Sequence, residues 1–407
     1  MSRSDALPSL PNLLYLGDVP VESSYHGSAL IYRLLQNYPK EKLRCVEAIY
    51  RSKPERRLPE VIYETGSFGS RRLLHSRLGM NYRTWLLATA CARVGLVGRA
   101  LRGFIPQAVL TVAHGFSWMT ASVFARRQRL SLHLIVHDDC CTLAFPPGAS
   151  QRRMHARFVD AYRFAAARFC VSPYMEEEYR RRYGAEGIVL YPSRAADGAK
   201  FSQPAERLSR PAPNLTIAFA GTMESDGYAQ ILQKVAHCLQ TRNGKLVVYG
   251  PYTPKTLGNW GLDLPAVRCE GLVPSNELID RLRNQADALI VPMSFEVGGE
   301  ETNMRFSFPS KLTDYTATGL PLLICGPEYC SAVRWAQQYQ PVAEVVTSES
   351  SDALARALDH LASPEHRKML ANRALEVGEK LFSHASAERV FFAALQTVCA
   401  ESAVARK

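Results

Sequence analysis

At 407 residues the chain is longer than one hydrophobic core usually organises, so two domains are expected. A composition of 47% hydrophobic and 21% charged residues excludes a disordered or fibrous chain. No apolar run approaches the ~20 residues of a bilayer span, which excludes an integral helix bundle. The net charge of +11 is lopsided: residues 1–200 hold 29 Lys and Arg against 16 Asp and Glu, while residues 201–407 hold 20 against 22. A basic half of this kind predicts an anionic partner, with a membrane surface among the candidates.

The ten cysteines are scattered, with one adjacent pair, Cys140 and Cys141, and no C-x-x-C. No secretory apolar segment opens the chain. The expectation is a reducing, cytoplasmic setting without a disulfide framework or structural zinc.

In chain order, Asn12 to Gly17 reads as a strand ended by Gly17-Asp18, and a helix follows from about Gly27 to Asn37. His26 and Gly27 stand where that strand–loop–helix unit would collect a ligand; His26 as a plain surface residue is the alternative. Leu43 to Tyr50 is the next strand. Trp85 to Phe104 is apolar but interrupted by Arg93, Arg99 and Arg102, next to the basic run Arg71, Arg72, Arg77 and Arg83. It reads either as one interfacial amphipathic helix or as a helix packed on its own domain. Gln107 to Ala113 ends at His114, and Leu132 to Val136 ends at His137-Asp138-Asp139. Two parallel strands ending in histidine put both imidazoles on one rim. The adjacent carboxylates do not make a metal site, because neighbours point apart and no further ligand cluster accompanies them.

A helix from His155 to Arg168, a strand from Phe169 to Ser172 and a capped helix beginning Ser172-Pro173 complete the first domain. Domain boundaries are expected at 1–195, with a linker over 196–213 and a second domain over 214–384. A terminal helix over 385–407 is expected to return to the first domain.

The second domain opens with the strand Leu215 to Ala220, ending in Gly221-Thr222, and the helix Ala229 to Gln240. Strands at Lys245 to Tyr249, Val267 to Leu272 and Ala288 to Val291 follow, with a helix at Ser275 to Asn284. Then comes FPSKLTDYTATGLPLLICG, residues 308–326. Pro309 and Ser310 open a short helix, Gly319 closes it, and Leu320 to Cys325 is a buried strand. Ser310 and Lys311 at the helix start suit a phosphate, and Asp314, one turn on, suits a ribose. The bland alternative is an ordinary cap with a solvated Lys–Asp pair.

The order of these segments resembles the GT-B glycosyltransferases, and within them the retaining, family 4-like group. The carrying residues are FAGTM (219–223), LVVYGPY (246–252), EGLVPSNELIDRL (270–282), ADALIVPMSFE (286–296) and FPSKLTDYTATGLPLLICGP (308–327), with HGSALIYRLL (26–35), HDD (137–139) and VSPYMEEEYRRRYG (171–184) in the first domain. The resemblance implies an α/β chain of two Rossmann-like, doubly wound domains facing across a cleft. The implied activity is transfer of a sugar, hexosyltransferase-like, from a nucleotide-sugar donor to a glycan, glycolipid or lipid-linked acceptor. Retention, no metal and no cofactor beyond the donor are implied with it, and nucleic acid is not an expected partner.

Carried over residue by residue, Gly221 and Thr222 lie beside the donor diphosphate and Val273 reads the base. Ser310 and Lys311 cradle the diphosphate, Asp314 holds the ribose, and Glu296 faces the donor sugar. His137 lies near the reacting centre, with His114, His26, Gly27 and Asp138 on the acceptor side. The sequence departs from the pattern in three ways. Eighteen positions separate Glu296 from Asp314, more than is usual, so Glu300 and Glu301 stand as alternatives to Glu296. The second acid is Asp rather than Glu. TMESDGYAQ (222–230) carries no base, leaving Lys311 and Arg305 of the second domain, or an arginine of the basic first domain, to neutralise the diphosphate. Other readings are a catalytically silent binding or scaffold protein of this fold, or another nucleotide-sugar enzyme such as an epimerase. A dinucleotide dehydrogenase is disfavoured, since no G-x-G-x-x-G follows a strand.

Overall fold

The computed structural model describes residues 10–23, 27–66, 68–223, 225–296 and 301–404. The chain forms two units, Met1–Tyr191 with His384–Lys407, and Pro192–Ser383.

The first unit is built on a seven-stranded parallel sheet. Its strands are β1 (Leu13–Gly17), β2 (Leu43–Glu47), β3 (Ile62–Thr65), β4 (Ala108–Val112), β5 (Ser131–Val136), β6 (Ala167–Cys170) and β7 (Ile188–Val189), in the spatial order β3-β2-β1-β4-β5-β6-β7. All residues of β1 and β4 are buried, as continuous apolar strands covered by helices on both faces should be. The terminal helix His384–Val404 belongs to this unit. Phe391 is fully buried, with its ring centroid 5.5 Å from that of Phe169 on β6.

Two expectations change here. Trp85 to Phe104 is not one helix: it divides into Gly79–Thr89 and Val94–Leu101. Arg93 in the break is buried, and its guanidinium donates to the carbonyls of Leu86 (2.6 Å) and Phe68 (3.3 Å). A buried guanidinium needs acceptors, and the carbonyls around the break supply them. The helix expected over His155 to Arg168 starts earlier, at Ala149, and ends at Phe164, with Arg168 already in β6.

The second unit holds a six-stranded parallel sheet of β8 (Thr216–Ala220), β9 (Lys245–Tyr249), β10 (Val267–Gly271), β11 (Ala288–Pro292), β12 (Leu322–Cys325) and β13 (Glu344–Val346), in the order β10-β9-β8-β11-β12-β13. The segment expected as a linker is built into this unit. Leu208 is fully buried and Arg207 pairs with Asp287 at 2.9 Å. Arg194, expected at the end of the first domain, also belongs to this unit, enclosed by the helices Lys311–Tyr315 and Pro364–Phe382. Among the described residues no helix is long and apolar enough to cross a membrane.

Candidate active site

In both sheets the strand order reverses once, between β1 and β4 and between β8 and β11. The loops leaving the carboxyl ends of such a pair diverge to opposite faces, and the crevice between them is where an open parallel sheet binds its ligand.

In the second unit β8 and β11 pair at Ile217–Ala288 and Ala218–Leu289, early in both strands. Beyond that point Tyr315 fills the gap: its phenol accepts from the Ala220 N–H at 2.7 Å and donates to the Ala220 carbonyl at 3.0 Å. Burial pushes the phenol's pKa up, so it keeps the proton it donates. The helix Lys311–Tyr315 is thereby fixed to the end of β8. Its first residue, Lys311, turns toward Gly221. A methyl group built on Gly221 would lie 3.8 Å from Lys311 Nζ. Gly221 has φ +137°, a backbone state that side chains rarely adopt. The Lys311 ammonium lies 4.6 Å from the centroid of the Phe219 ring and 5.5 Å from that of Tyr228, within reach of both π faces.

The helix after Gly221 runs from Asp226 to Gln240, one turn longer at its start than the spacing predicts. Gly227 lets it approach β11's exit closely: a methyl group there would fall 2.0 Å from Ser294 Oγ. Ser225 stands at the N-cap but its side chain makes no cap bond, and its Oγ is buried without a hydrogen-bond partner among the described residues. A 15-residue helix thus directs uncapped N–H groups toward the end of β8, and a buried hydroxyl accompanies them.

Asp314 follows Lys311 by one turn, as the spacing predicts. Ser310 is exposed and supplies no side-chain cap bond; its carbonyl accepts from the Thr313 N–H (3.1 Å) and hydroxyl (2.7 Å) instead. Behind this helix lies Arg194, which sequence reasoning missed. Its Nε donates to the Thr313 carbonyl at 3.0 Å, one terminal nitrogen to Glu379 at 3.0 Å and the other to the Thr316 hydroxyl at 3.2 Å. Burial lowers the guanidinium's pKa, against Glu379 and Asp314, which raise it.

Glu296 is exposed at the exit of β11, where its carboxylate accepts from Gln230 at 3.1 Å and its N–H donates to Ser294 Oγ at 3.1 Å. Glu300 lies outside the described residues. Glu301 pairs with Arg305 at 2.7 Å within the helix Glu301–Phe306, and the Arg305 guanidinium lies 4.4 Å from the Tyr329 ring centroid. Arg305, expected to serve the diphosphate, is therefore already partnered. Val273 is half-buried in the loop after β10, and Thr222 is half-buried beside Gly221.

On the first unit's rim the structure brings His137, Gly27, Asp138 and His114 together. His137 Nδ1 lies 3.8 Å from where a methyl group on Gly27 would stand. Burial holds the imidazole down, to a pKa of about 4. Asp138 opposes that shift and His114 adds to it, so His137 is neutral at pH 7. His26 lies outside the described residues. Asp139 caps the helix Cys140–Ala144, accepting from the Cys141 (3.2 Å) and Thr142 (3.3 Å) N–H groups.

Asp18 was legible only as a strand end. It is buried, and its carboxylate accepts from the N–H groups of Phe116 (2.5 Å) and Ser117 (3.0 Å) and from the Ser117 hydroxyl (2.6 Å). Gly115, at φ +63°, is required there, because a side chain would collide with that carboxylate. The partners lie 98 and 99 positions away, beyond any local signal.

No family model matches the sequence, and no curated protein does. Solved structures do. HepE of Anabaena, crystallised with UDP and glucose, superposes with a TM-score of 0.65 at 13% identity, over 95% of this chain and 99% of that one. A glycosyltransferase from Rickettsia africae gives 0.64 at 12% identity, over 95% and 98%. A UDP-forming α,α-trehalose-phosphate synthase from Burkholderia vietnamiensis gives 0.62 at 13% identity, over 97% and 99%. These are GT-B proteins, and at such identities the likeness carries the fold: two parallel-sheet, Rossmann-like domains of the GT-B type.

Proposed function

We propose that the chain is a glycosyltransferase that moves a sugar from a nucleoside diphosphate to a glycan, glycolipid or lipid-linked acceptor. The observation that carries this reading is the placement of Lys311 against Gly221 at the β8–β11 switch point, beside the uncapped helix Asp226–Gln240. A diphosphate set there meets a fixed ammonium and the start of a helix that carries no side-chain cap, without any base in residues 222–230. Asp314 then accepts from the ribose, and Val273 lies by the base. Uracil is the base favoured, because HepE was crystallised with UDP and with UDP-glucose.

Transfer breaks the bond between the sugar's anomeric carbon and the diphosphate oxygen and forms one to the acceptor oxygen. Lys311 and the N–H groups stabilise the charge gathering on the leaving diphosphate. In the retaining, metal-free version we propose, the acceptor attacks from the face the diphosphate leaves. A phosphate oxygen takes the hydroxyl proton, so no enzyme nucleophile is required. His137, neutral, orients the sugar by hydrogen bonding. Glu296 faces the donor sugar.

The first unit's surface supports an acceptor carried on an anionic membrane. Leu73, Leu78, Met80 and Trp85 are exposed large apolar side chains, and Arg71, Arg72 and Arg77 are exposed in the same stretch. The protein is expected to sediment with vesicles containing phosphatidylglycerol at low salt and to leave them as salt rises; equal recovery from neutral vesicles would remove the lipid part of the proposal.

The donor site is tested by thermal shift with UDP, GDP, ADP and their sugar conjugates on the wild type and Asp314→Ala. A rise with one base that the substitution abolishes supports the reading. No rise with any nucleotide favours a silent binding protein of this fold, a reading to which the closed Glu301–Arg305 pair lends weight.

A further inference from the structure

Within the second unit, Glu344, His360 and His366 meet at the outer edge of the sheet. Glu344 begins the edge strand β13 and is largely buried, its side chain 16% exposed. His360 lies in the last turn of the helix Ser351–Ala362, and His366 in the first turn of the helix Pro364–Phe382. A single residue, Ser363, joins the two helices. Its N–H donates to the His360 carbonyl at 3.2 Å, and its hydroxyl accepts from the His366 N–H at 3.3 Å. That one-residue junction sets the spacing which brings both imidazoles to one carboxylate.

His360 Nδ1 lies 3.0 Å from one Glu344 oxygen, and His366 Nε2 lies 2.8 Å from the other. The three ligand atoms all lie within 4.8 Å of one another. Around a tetrahedral zinc with bonds of 2.0–2.1 Å, ligand atoms stand about 3.3 Å apart, so small rotations of these side chains suffice. Two imidazoles and a carboxylate suit zinc and its transition-metal neighbours rather than magnesium or calcium. His360 is more than half exposed, leaving room for water as a fourth ligand.

We propose that Glu344, His360 and His366 bind one divalent transition-metal ion of the zinc class, which pins the edge strand β13 to the helix pair. The ion's role is structural. None of the three residues belongs to the candidate donor site, and the proposal does not rest on the glycosyl-transfer reading. The signal was hard to read in sequence because the carboxylate and the two histidines come from three separate elements.

The test uses the full chain, free of any affinity tag and stripped with chelator, titrated with Zn(II) and with Co(II). Wild type is expected to take up one equivalent, to show the visible ligand-field bands of low-coordinate Co(II), and to gain melting temperature with metal. His360→Gln and Glu344→Gln are expected to bind at least tenfold more weakly while keeping their circular dichroism and any response to UDP. Co(II) uptake and spectra identical in the wild type and a His360→Gln/His366→Gln double variant would overturn the proposal, as would no stoichiometric uptake by the wild type. Because the readout is the metal itself, failure of the transferase reading leaves this result interpretable.

Discussion

At the switch point of the first sheet, β1 and β4 pair as far as Tyr15 and Leu110, after which the Thr111 hydroxyl donates to the Leu16 carbonyl at 2.6 Å. At the switch point of the second, β8 and β11 pair as far as Ala218 and Leu289, after which the Tyr315 phenol takes both polar groups of Ala220. Each sheet thus closes its gap with a side-chain hydroxyl, yet the groups placed at the rim differ. The first half of the sequence carries a net +13 (29 basic, 16 acidic), but its rim offers a buried carboxylate, Asp18, and a neutral imidazole, His137. The second half carries −2 (20 against 22), but its rim holds the lysine. Net charge describes the surface a domain shows to large partners. What a crevice binds is decided by which few groups the strand ends and helix starts direct into it.

The largest effect expected from breaking this contrast comes from Lys311→Ala. It removes the cation at Gly221 and should lower turnover of a nucleotide sugar about 100- to 1,000-fold in a steady-state transfer assay. Lys311→Arg should recover part of the loss, since it keeps charge but not the fit between the Phe219 and Tyr228 rings. Full activity in Lys311→Ala would mean that the anion is held elsewhere. Next comes Arg194→Ala, which leaves the Thr313 carbonyl and Glu379 without their buried partner. It should cost about 3 kcal/mol of stability in denaturant unfolding. Arg194→Lys should restore little, because one ammonium cannot reach the three acceptors a guanidinium spans.

Much of the second unit is legible in sequence because its signals are local. Pro309-Ser310 precede one short helix, although it ends at Tyr315 rather than at the expected Gly319, and β9 falls on Lys245–Tyr249 as its apolar run predicts. The edge strand β13, three residues long, is too short to register. Arg194 was hidden for another reason. Residues 192–213 have loop-like composition, and only the fold reveals that a guanidinium there reaches positions 119, 122 and 185 residues on. The expectation of one helix over the interrupted run at Trp85 failed at Arg93, which sits in a break between two helices, buried among carbonyls. The candidate site divides the same way. Lys311 and Asp314 could be placed from their spacing, but the uncapped Ser225 and the cap supplied by Asp18 depend on contacts the sequence does not display.

The smallest expected effect probes the neutral side of the contrast. His137→Gln keeps a hydrogen-bonding side chain that cannot charge, so transfer at pH 7.5 should fall only about tenfold, with UDP affinity unchanged. Its sharper consequence is in the pH dependence of stability. Burial holds His137 and the core His133 of β5 at pKa values of about 4, whereas in the unfolded chain both titrate near the ordinary 6.5. Between those values the unfolded chain binds more protons, so stability is complete above about pH 6.5 and is lost as pH falls toward 4. Denaturant unfolding at a series of pH values should show a slope near two protons from these groups in wild type and near one in His137→Gln. His133→Gln, set inside a strand, should remove the other at a cost in overall stability. An unchanged slope in His137→Gln would mean that His137 titrates alike folded and unfolded and can be charged in the native rim. The first switch point would then carry a cation too, and the difference between the two rims would be one of position rather than of charge.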